Sequence, residues 1–291
     1  MDDSRILIIG AYGQLGKALQ AKYPSAIAVD RDQFDMTDWE MVHAYDWSKV
    51  DVIINAAAYT SVDEAETEEG RPIVWKINAV APGYLSKVAT EHDLTLVHVS
   101  SDYVFDGTRE NHSETEDLAP LGVYAQTKAA GDIAVSVTPK HYIMRTHALI
   151  GEGHNFVRIM LGLAEKNISP SVVNDQITRL TFTPSLVDGI DHLLSSQAAY
   201  GVYNLSNDGE PTSWADITHL IFKEIGREDL VVTGVTTEEY FKSKPHVAPR
   251  PLKSYFDLSK IKTAGYTPAD WRAELHAYIA AEQAKPKEKI S

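Results

Sequence analysis

Residues 5–23, RILIIGAYGQLGKALQAKY, constrain this chain more than any other segment. RILII is a short, β-branched apolar run that reads as a buried strand. It feeds directly into GAYGQLG, with glycines at 10, 13 and 16, and then into the helical pattern KALQAKY. A strand, a glycine-rich turn and a helix start present free N–H groups and a positive dipole end to a diphosphate. Gly10 suits the tight turn, Gly13 the close approach of phosphate, and Gly16 the packing of helix on strand. Tyr12, Gln14 and Leu15 share that turn and are candidate cofactor contacts. The spacing is G-x-x-G-x-x-G, not the common G-x-G-x-x-G. A second strand, AIAVD, ends at Asp30, twenty residues after Gly10, where an acid would hold the adenosine ribose hydroxyls. Asp30 disfavours a 2′-phosphate and the adjacent Arg31 can receive one. NADH is therefore favoured and NADPH stays open.

The first half goes on alternating apolar strands (5–9, 26–29, 51–55, 94–100, 142–145) with helical patterns (14–22, 38–44, 71–92, 124–135). Alternation of this kind predicts right-handed βαβ units and an α/β fold with a doubly wound, Rossmann-like parallel sheet. Residues 1–150 form the expected dinucleotide-binding domain, with 185–206 returning to it as a helix and a strand. After Arg145 the turn-rich segments GEGHNF, SVVNDQITRL and KSKPHVAPRPLKS predict a smaller C-terminal substrate-binding domain, mainly 151–291. The tail after Ala280 is polar and expected to fray.

With 291 residues, 44% of them hydrophobic, the chain can bury a full core. A net charge of −14 argues against binding nucleic acid or a membrane surface, both anionic. With no cysteine, disulfides, thiolate nucleophiles and Cys–metal sites are excluded. No apolar stretch reaches membrane-spanning length, and a strand at residue 5 leaves no room for a signal peptide, so a cytoplasmic protein is expected. The 11 histidines show no H-E-x-x-H or H-x-H spacing, and no metal is expected.

Tyr124 and Lys128, in VYAQTKAAG, lie four residues apart on one helix face. A cation at ~4 Å would favour the phenolate by up to ~4 kcal/mol, lowering the phenol by as much as ~3 units from ~10. Upstream, the strand LTLVHVSS ends in Ser100, Ser101 and Asp102. A triad of Ser101, Tyr124 and Lys128 suits hydride exchange at a carbonyl carbon. Tyr124 would give a proton to the oxygen, Ser101 would stabilise it, and Lys128 would hold the nicotinamide ribose.

GAYGQLG, DMTD (35–38), NAAAYTSVDEAE (55–66), SSDYVFDG, YAQTK, MRTHALIGEGHNFV, VVNDQ, APRPLKS and FDLSK resemble the extended short-chain dehydrogenase/reductase superfamily. Within it they are most similar to the dTDP-4-dehydrorhamnose reductase family, over nearly the whole chain. The resemblance implies reduction of the 4-keto group of dTDP-6-deoxy-L-lyxo-4-hexulose with NADPH or NADH. It places Gly10–Gly16, Asp30 and Arg31 at the cofactor, Asp35 and Met36 beside the adenine, and Ala56, Ala57 and Ala58 along the diphosphate and ribose. Thr60, Ser101, Asp102 and Tyr103 would border the sugar, and Asn155, Phe156, Arg179 and Arg250 would take the nucleotide diphosphate. Partners implied are the nucleotide sugar and either a second copy or the preceding epimerase, fused or associated.

Three segments depart from that family's pattern, at four positions. Ala148 stands for a tryptophan, DQITRLT has Thr178 for glycine and Leu180 for proline, and Ala18 replaces a glutamate that helps bind Mg²⁺ in some members. Another 4-keto sugar and a non-catalytic regulatory relative are the alternatives these departures leave. A 4,6-dehydratase needs an Asp-Glu pair where this chain has Asp102-Tyr103. Asp63 and Glu66 are expected to cap and pair structurally, while His147 and His154 lie near the expected sugar pocket.

Overall fold

All four residues of strand β1 (Ile6–Ile9) are at most 2% exposed. A strand covered on both faces belongs inside a parallel sheet. In the computed structural model, which describes residues 2–242 and 244–285, β1 pairs parallel with β2 (Ile27–Val29) on one side and β3 (Val52–Asn55) on the other. β4 (Thr95–Ser101), β5 (His141–Thr146) and β6 (Gly201–Asn204) continue the sheet. The order is β2-β1-β3-β4-β5-β6, and every pairing is parallel.

Successive side chains leave a strand on opposite faces, and two core layers follow. Ile6, Ile8, Ile54, Val97 and Met144 pack with Leu15 and Leu19 of α1 (Gln14–Lys22) on one face. Leu7, Ile9, Ile53, Leu96 and Ile143 pack on the other with Val42 of α2 (Trp39–Ala44) and with Leu85 and Val88 of α3, a helical stretch over 70–91. Each such side chain, fully buried, contributes roughly 1.5–3 kcal/mol. Because all six strands run the same way, Gly10, Asp30, Asn55 and Ser101 emerge together along the carboxyl edge of the sheet. The helix expected over 71–92 contains a π-helical turn, Lys76–Val80, that the pattern of apolar residues did not disclose. There the buried Asn78 accepts from the Tyr59 amide at 2.8 Å, donates to the Tyr59 carbonyl at 3.0 Å and reaches Thr127 Oγ1 at 3.3 Å. It ties the loop after β3 to α4 (Val123–Ser136), the helix of Tyr124 and Lys128.

The second half is more regular than its turn residues suggested. It contains α5 (Phe156–Glu165), α6 (Thr183–Ser195), α7 (Trp214–Glu224) and α8 (Trp271–Ala284), with three short two-stranded ribbons. A third core layer gathers Val157, Met160, Leu180, Phe182, Ile217, Ile221, Trp271 and Ile279. Leu180, one of the departing positions, is fully buried there. α6 leads back to the sheet, where β6 pairs with β5. Ala280 is not where order ends. Asp270 caps α8, the helix runs on to Ala284, and Glu282 in its last turn receives both Nε and Nη2 of Arg158 at 2.9 Å. Residues 286–291 of the expected frayed tail lie outside the described residues.

Candidate active site

Gly10 follows β1 with φ +85°, and a Cβ there would meet the Ala57 amide nitrogen at 2.7 Å. Only glycine meets both demands. A Cβ on Gly16 would lie 2.1 Å from the Gly10 carbonyl oxygen, so α1 can sit directly on the turn. Gly13 is the N-cap of α1 and supplies no side-chain acceptor to its first turn. A Cβ there would meet only the Gly10 oxygen, at 3.4 Å. That combination of open approach and unclaimed N–H groups fits a dinucleotide diphosphate.

Asp30 is occupied in holding the turn: Oδ2 accepts from the Tyr12 amide at 3.0 Å and Oδ1 from the Arg31 amide at 2.8 Å. Gly10, Asp30, Arg31, Asp35, Met36 and Ala57 line a cavity of about 250 Å³ together with Ile73, Lys76 and Ile77 of α3. The three α3 residues were not anticipated, since nothing local in GRPIVWKIN marks a helix that crosses the sheet's carboxyl edge. Tyr12 lines none of the cavities described here. Its ring is 65% exposed and its hydroxyl accepts from Gln33.

A second cavity, of about 360 Å³, brings together Gln14, Leu15, Ala56, Ala58, Thr60, Ser101, Asp102, Tyr103, Tyr124 and Lys128. Ser101 Oγ donates to Asp102 Oδ1 at 3.0 Å and accepts from the Tyr103 amide at 3.2 Å. Burial pushes the Asp102 carboxyl up to about 6. Lys128 is 2% exposed and donates to the Val99 carbonyl at 2.7 Å. Burial lowers its ammonium to about 8, with buried Asp132 acting in the other direction. Tyr124 corrects an expectation: its phenol is not lowered towards neutrality but raised to about 12. Loss of solvent around the phenolate outweighs every other influence, and Ser101 only partly offsets it.

The expected diphosphate contacts divide. Arg250 and Phe156 line a third cavity, of about 230 Å³, with Tyr103, Trp214, Tyr240 and Phe241. Arg250 Nη2 reaches Asp63 at 2.9 Å and Nη1 the Ala248 carbonyl at 2.8 Å. Asn155 and Arg179 line none of the cavities described here. Asn155 caps α5, accepting from Arg158 N at 3.1 Å, and spends its amide on Gly151 O and Tyr278 Oη at 2.9 Å each. Arg179 is 8% exposed and donates to the Phe256 carbonyl at 3.0 Å. Both were placed at the diphosphate by the resemblance, but the Asn155 amide is used within the fold and Arg179 is buried away from these cavities.

Asp63 and Glu66 do pair and cap: Asp63 also accepts from Ala248 N at 3.1 Å, and Glu66 from Val123 N at 2.8 Å. His147 and Ala148 line the 360 Å³ cavity, as does Thr178, whereas His154 is exposed and only its carbonyl is used, by Gln14 at 3.1 Å. Val62, Gln176, Trp214, Pro251 and Ser254 also line it and were missed: all but Trp214 stand in motifs quoted above, but only tertiary folding shows which residues of a motif face the cavity. Among the described residues, no three His, Asp or Glu side chains are grouped to hold a metal, and no helix is long and apolar enough to cross a membrane.

A family model described as RmlD substrate binding domain matches residues 4–284. The dTDP-4-dehydrorhamnose reductase of Aggregatibacter actinomycetemcomitans is 37% identical, covering 94% of this chain and 97% of its own length. A solved dTDP-4-dehydrorhamnose reductase from Clostridium acetobutylicum superposes with a TM-score of 0.88 at 34% identity, over 96% of this chain and 99% of that one. One from Bacillus anthracis in complex with NADP superposes with a TM-score of 0.87 at 32% identity, over the same shares.

Proposed function

The chain belongs to the RmlD family of dTDP-4-dehydrorhamnose reductases, and from that membership and its cleft we infer that it is an NAD(P)H-dependent oxidoreductase converting dTDP-4-dehydrorhamnose to dTDP-L-rhamnose. The observation that carries this reading is the meeting of Ser101, Tyr124 and Lys128 in one cavity, beside a turn that fits a dinucleotide.

The bound nicotinamide supplies the hydride for C4 of the sugar. Tyr124, raised to about 12, keeps its proton at any working pH and donates it to the C4 oxygen as negative charge develops there. Ser101, steered by Asp102, supplies a hydrogen bond to the same oxygen. Lys128 has three N–H donors and spends one on Val99, leaving two for the cofactor ribose and a cation to offset the phenolate left behind. Gly10, Gly13, Gln14, Leu15 and Gly16 hold the diphosphate, and Asp30, Arg31, Asp35, Met36 and Ala57 the adenosine. Thr60, Tyr103, Phe156 and Arg250 face the nucleotide sugar. In the same proposal residues 1–150 with 185–206 carry the cofactor, and the remainder chiefly the sugar nucleotide. The enzyme works in the cytoplasm, where such substrates are made. It does so as a homodimer or beside the epimerase that precedes it, with Ile133 and Val137, 61% and 74% exposed, as apolar surface to be covered.

The test is loss of NADPH or NADH absorbance with enzymatically generated dTDP-6-deoxy-L-lyxo-4-hexulose, alongside product identification. Oxidation in step with dTDP-L-rhamnose is the expected outcome. Cofactor binding without turnover of this sugar would overturn the assignment.

A further inference from the structure

His147 stands one residue beyond β5, beside Thr146, which pairs in register with Ser101. It is 3% exposed and lines the cavity that contains Ser101, Tyr124 and Lys128. One face of its ring stacks on Phe256, centroids 4.1 Å apart and planes 19° from parallel. Neither Nδ1 nor Nε2 makes a hydrogen bond of good geometry among the described residues, and the Ser254 backbone offers the ring only a loose polar contact. Buried polar atoms are nearly always paired, so a ring without a well-made hydrogen bond at the wall of a cleft has capacity for a ligand.

The chemistry of that ligand can be read from the wall. Burial first, and the charge of Arg179 second, hold the imidazole down to about 3, so it is neutral at every working pH. A neutral imidazole offers one donor and one acceptor. The Thr146 hydroxyl is likewise unpartnered, Gln176, Thr178 and Ser254 line the same cavity, and Ala148 contributes only a methyl group. Although Lys128 and Asp102 share the cavity, the polar groups just named are neutral and both give and accept. They complement hydroxyls and are poorly suited to a diphosphate, which calls for cations.

We propose that His147 is a substrate-binding residue that hydrogen-bonds a ring hydroxyl of the 4-keto sugar and makes the enzyme select hydroxylated over deoxygenated substrates at that carbon. This rests on the reductase reading above.

His147→Phe keeps the stack on Phe256 and removes both nitrogens, whereas His147→Gln keeps a donor and an acceptor. Steady-state kinetics would compare the parent and both variants on dTDP-4-dehydrorhamnose and on its 2-deoxy and 3-deoxy counterparts, with NADPH affinity as the control for folding. His147→Phe is expected to lower kcat/KM on the full substrate roughly tenfold, mainly through KM. His147→Gln should recover part of the loss, and one deoxy substrate should be handled equally by parent and variant. An equal loss on all three substrates, or none, overturns the assignment of His147 alone. If His147→Phe does not bind NADPH, His147→Ala takes its place under the same criteria. A parent enzyme that turns over none of the three overturns the reductase reading and this proposal with it.

Discussion

Glu66 Oε1 accepts a hydrogen bond from the Val123 amide at 2.8 Å, across 57 residues of sequence. α4 has no side-chain cap of its own, because its N-cap is Gly122. A carboxylate from the loop after β3 therefore satisfies one free amide of the first turn and complements the helix dipole. Tyr124 is the next residue, so its placement depends on this contact. Glu66→Ala should cost about 1 kcal/mol of stability, as loss of a cap does, and lower kcat severalfold, while Glu66→Gln retains most of both. Thermal melts with steady-state rates check this, and an alanine variant as fast as the parent would refute the positioning role.

Tyr124→Phe removes the proton donor and little else. Turnover should fall by at least ~10²-fold, with NADPH affinity, read by fluorescence titration, unchanged. Comparable rates for variant and parent would remove Tyr124 from the reaction.

Lys128 titrates at about 8, lowered by burial. Its cation is present below that pH and lost above it. The reduction rate should hold towards neutrality and decline as pH rises through about 8. The phenol near 12 contributes no transition in that range. A kcat profile from pH 6 to 10 shows whether the limb exists, and Lys128→Met should abolish it together with most activity.

Arg31 and Lys76 both line the cavity around Asp30, and no other Lys or Arg among the described residues does. Removing both as a double alanine variant should raise KM for NADPH by about tenfold or more, the scale of a lost charge-assisted contact. KM for NADH should stay put. Equal effects on both cofactors would mean that neither cation reaches a 2′-phosphate.

Gly16→Ala would push a methyl group to 2.1 Å from the Gly10 carbonyl. Overpacking of this kind costs about 1–3 kcal/mol, and the shifted turn should weaken cofactor binding too. A variant with the parent's melting temperature and NADPH affinity would show that α1 can move off the turn freely.

What could be read before folding was what is local or periodic. The glycines of the turn declare themselves by spacing, and Ser101 by its place at the end of a strand. Tyr124 and Lys128 do so because four residues make one helical turn and a little more. What could not be read depends on neighbours far along the chain. Lys76 reaches the cofactor side only because α3 crosses the sheet edge, and Trp214 arrives from a segment with no motif. The phenol's direction of shift was missed because an attractive cation was weighed and the loss of water was not. Asn155 and Arg179 have the right donors for a diphosphate, but the Asn155 amide goes to Gly151 and Tyr278, and Arg179 is buried with one donor on the Phe256 carbonyl.

The Gln14 side chain lies between the two functions of this fold. It accepts from the Gly151 amide at 3.1 Å and donates to the His154 carbonyl at 3.1 Å, while its backbone begins the helix that meets the diphosphate. One turn further on, Lys17 pairs with Glu152 at 2.8 Å. The first turn of α1 and the 151–154 segment are thus held together by two side chains. Linkage then works in both directions: the factor by which the dinucleotide changes affinity for the sugar is the factor by which the sugar changes affinity for the dinucleotide. A single amide, 140 residues away from the carbonyl it holds, joins the start of the dinucleotide-facing helix to the segment after β5.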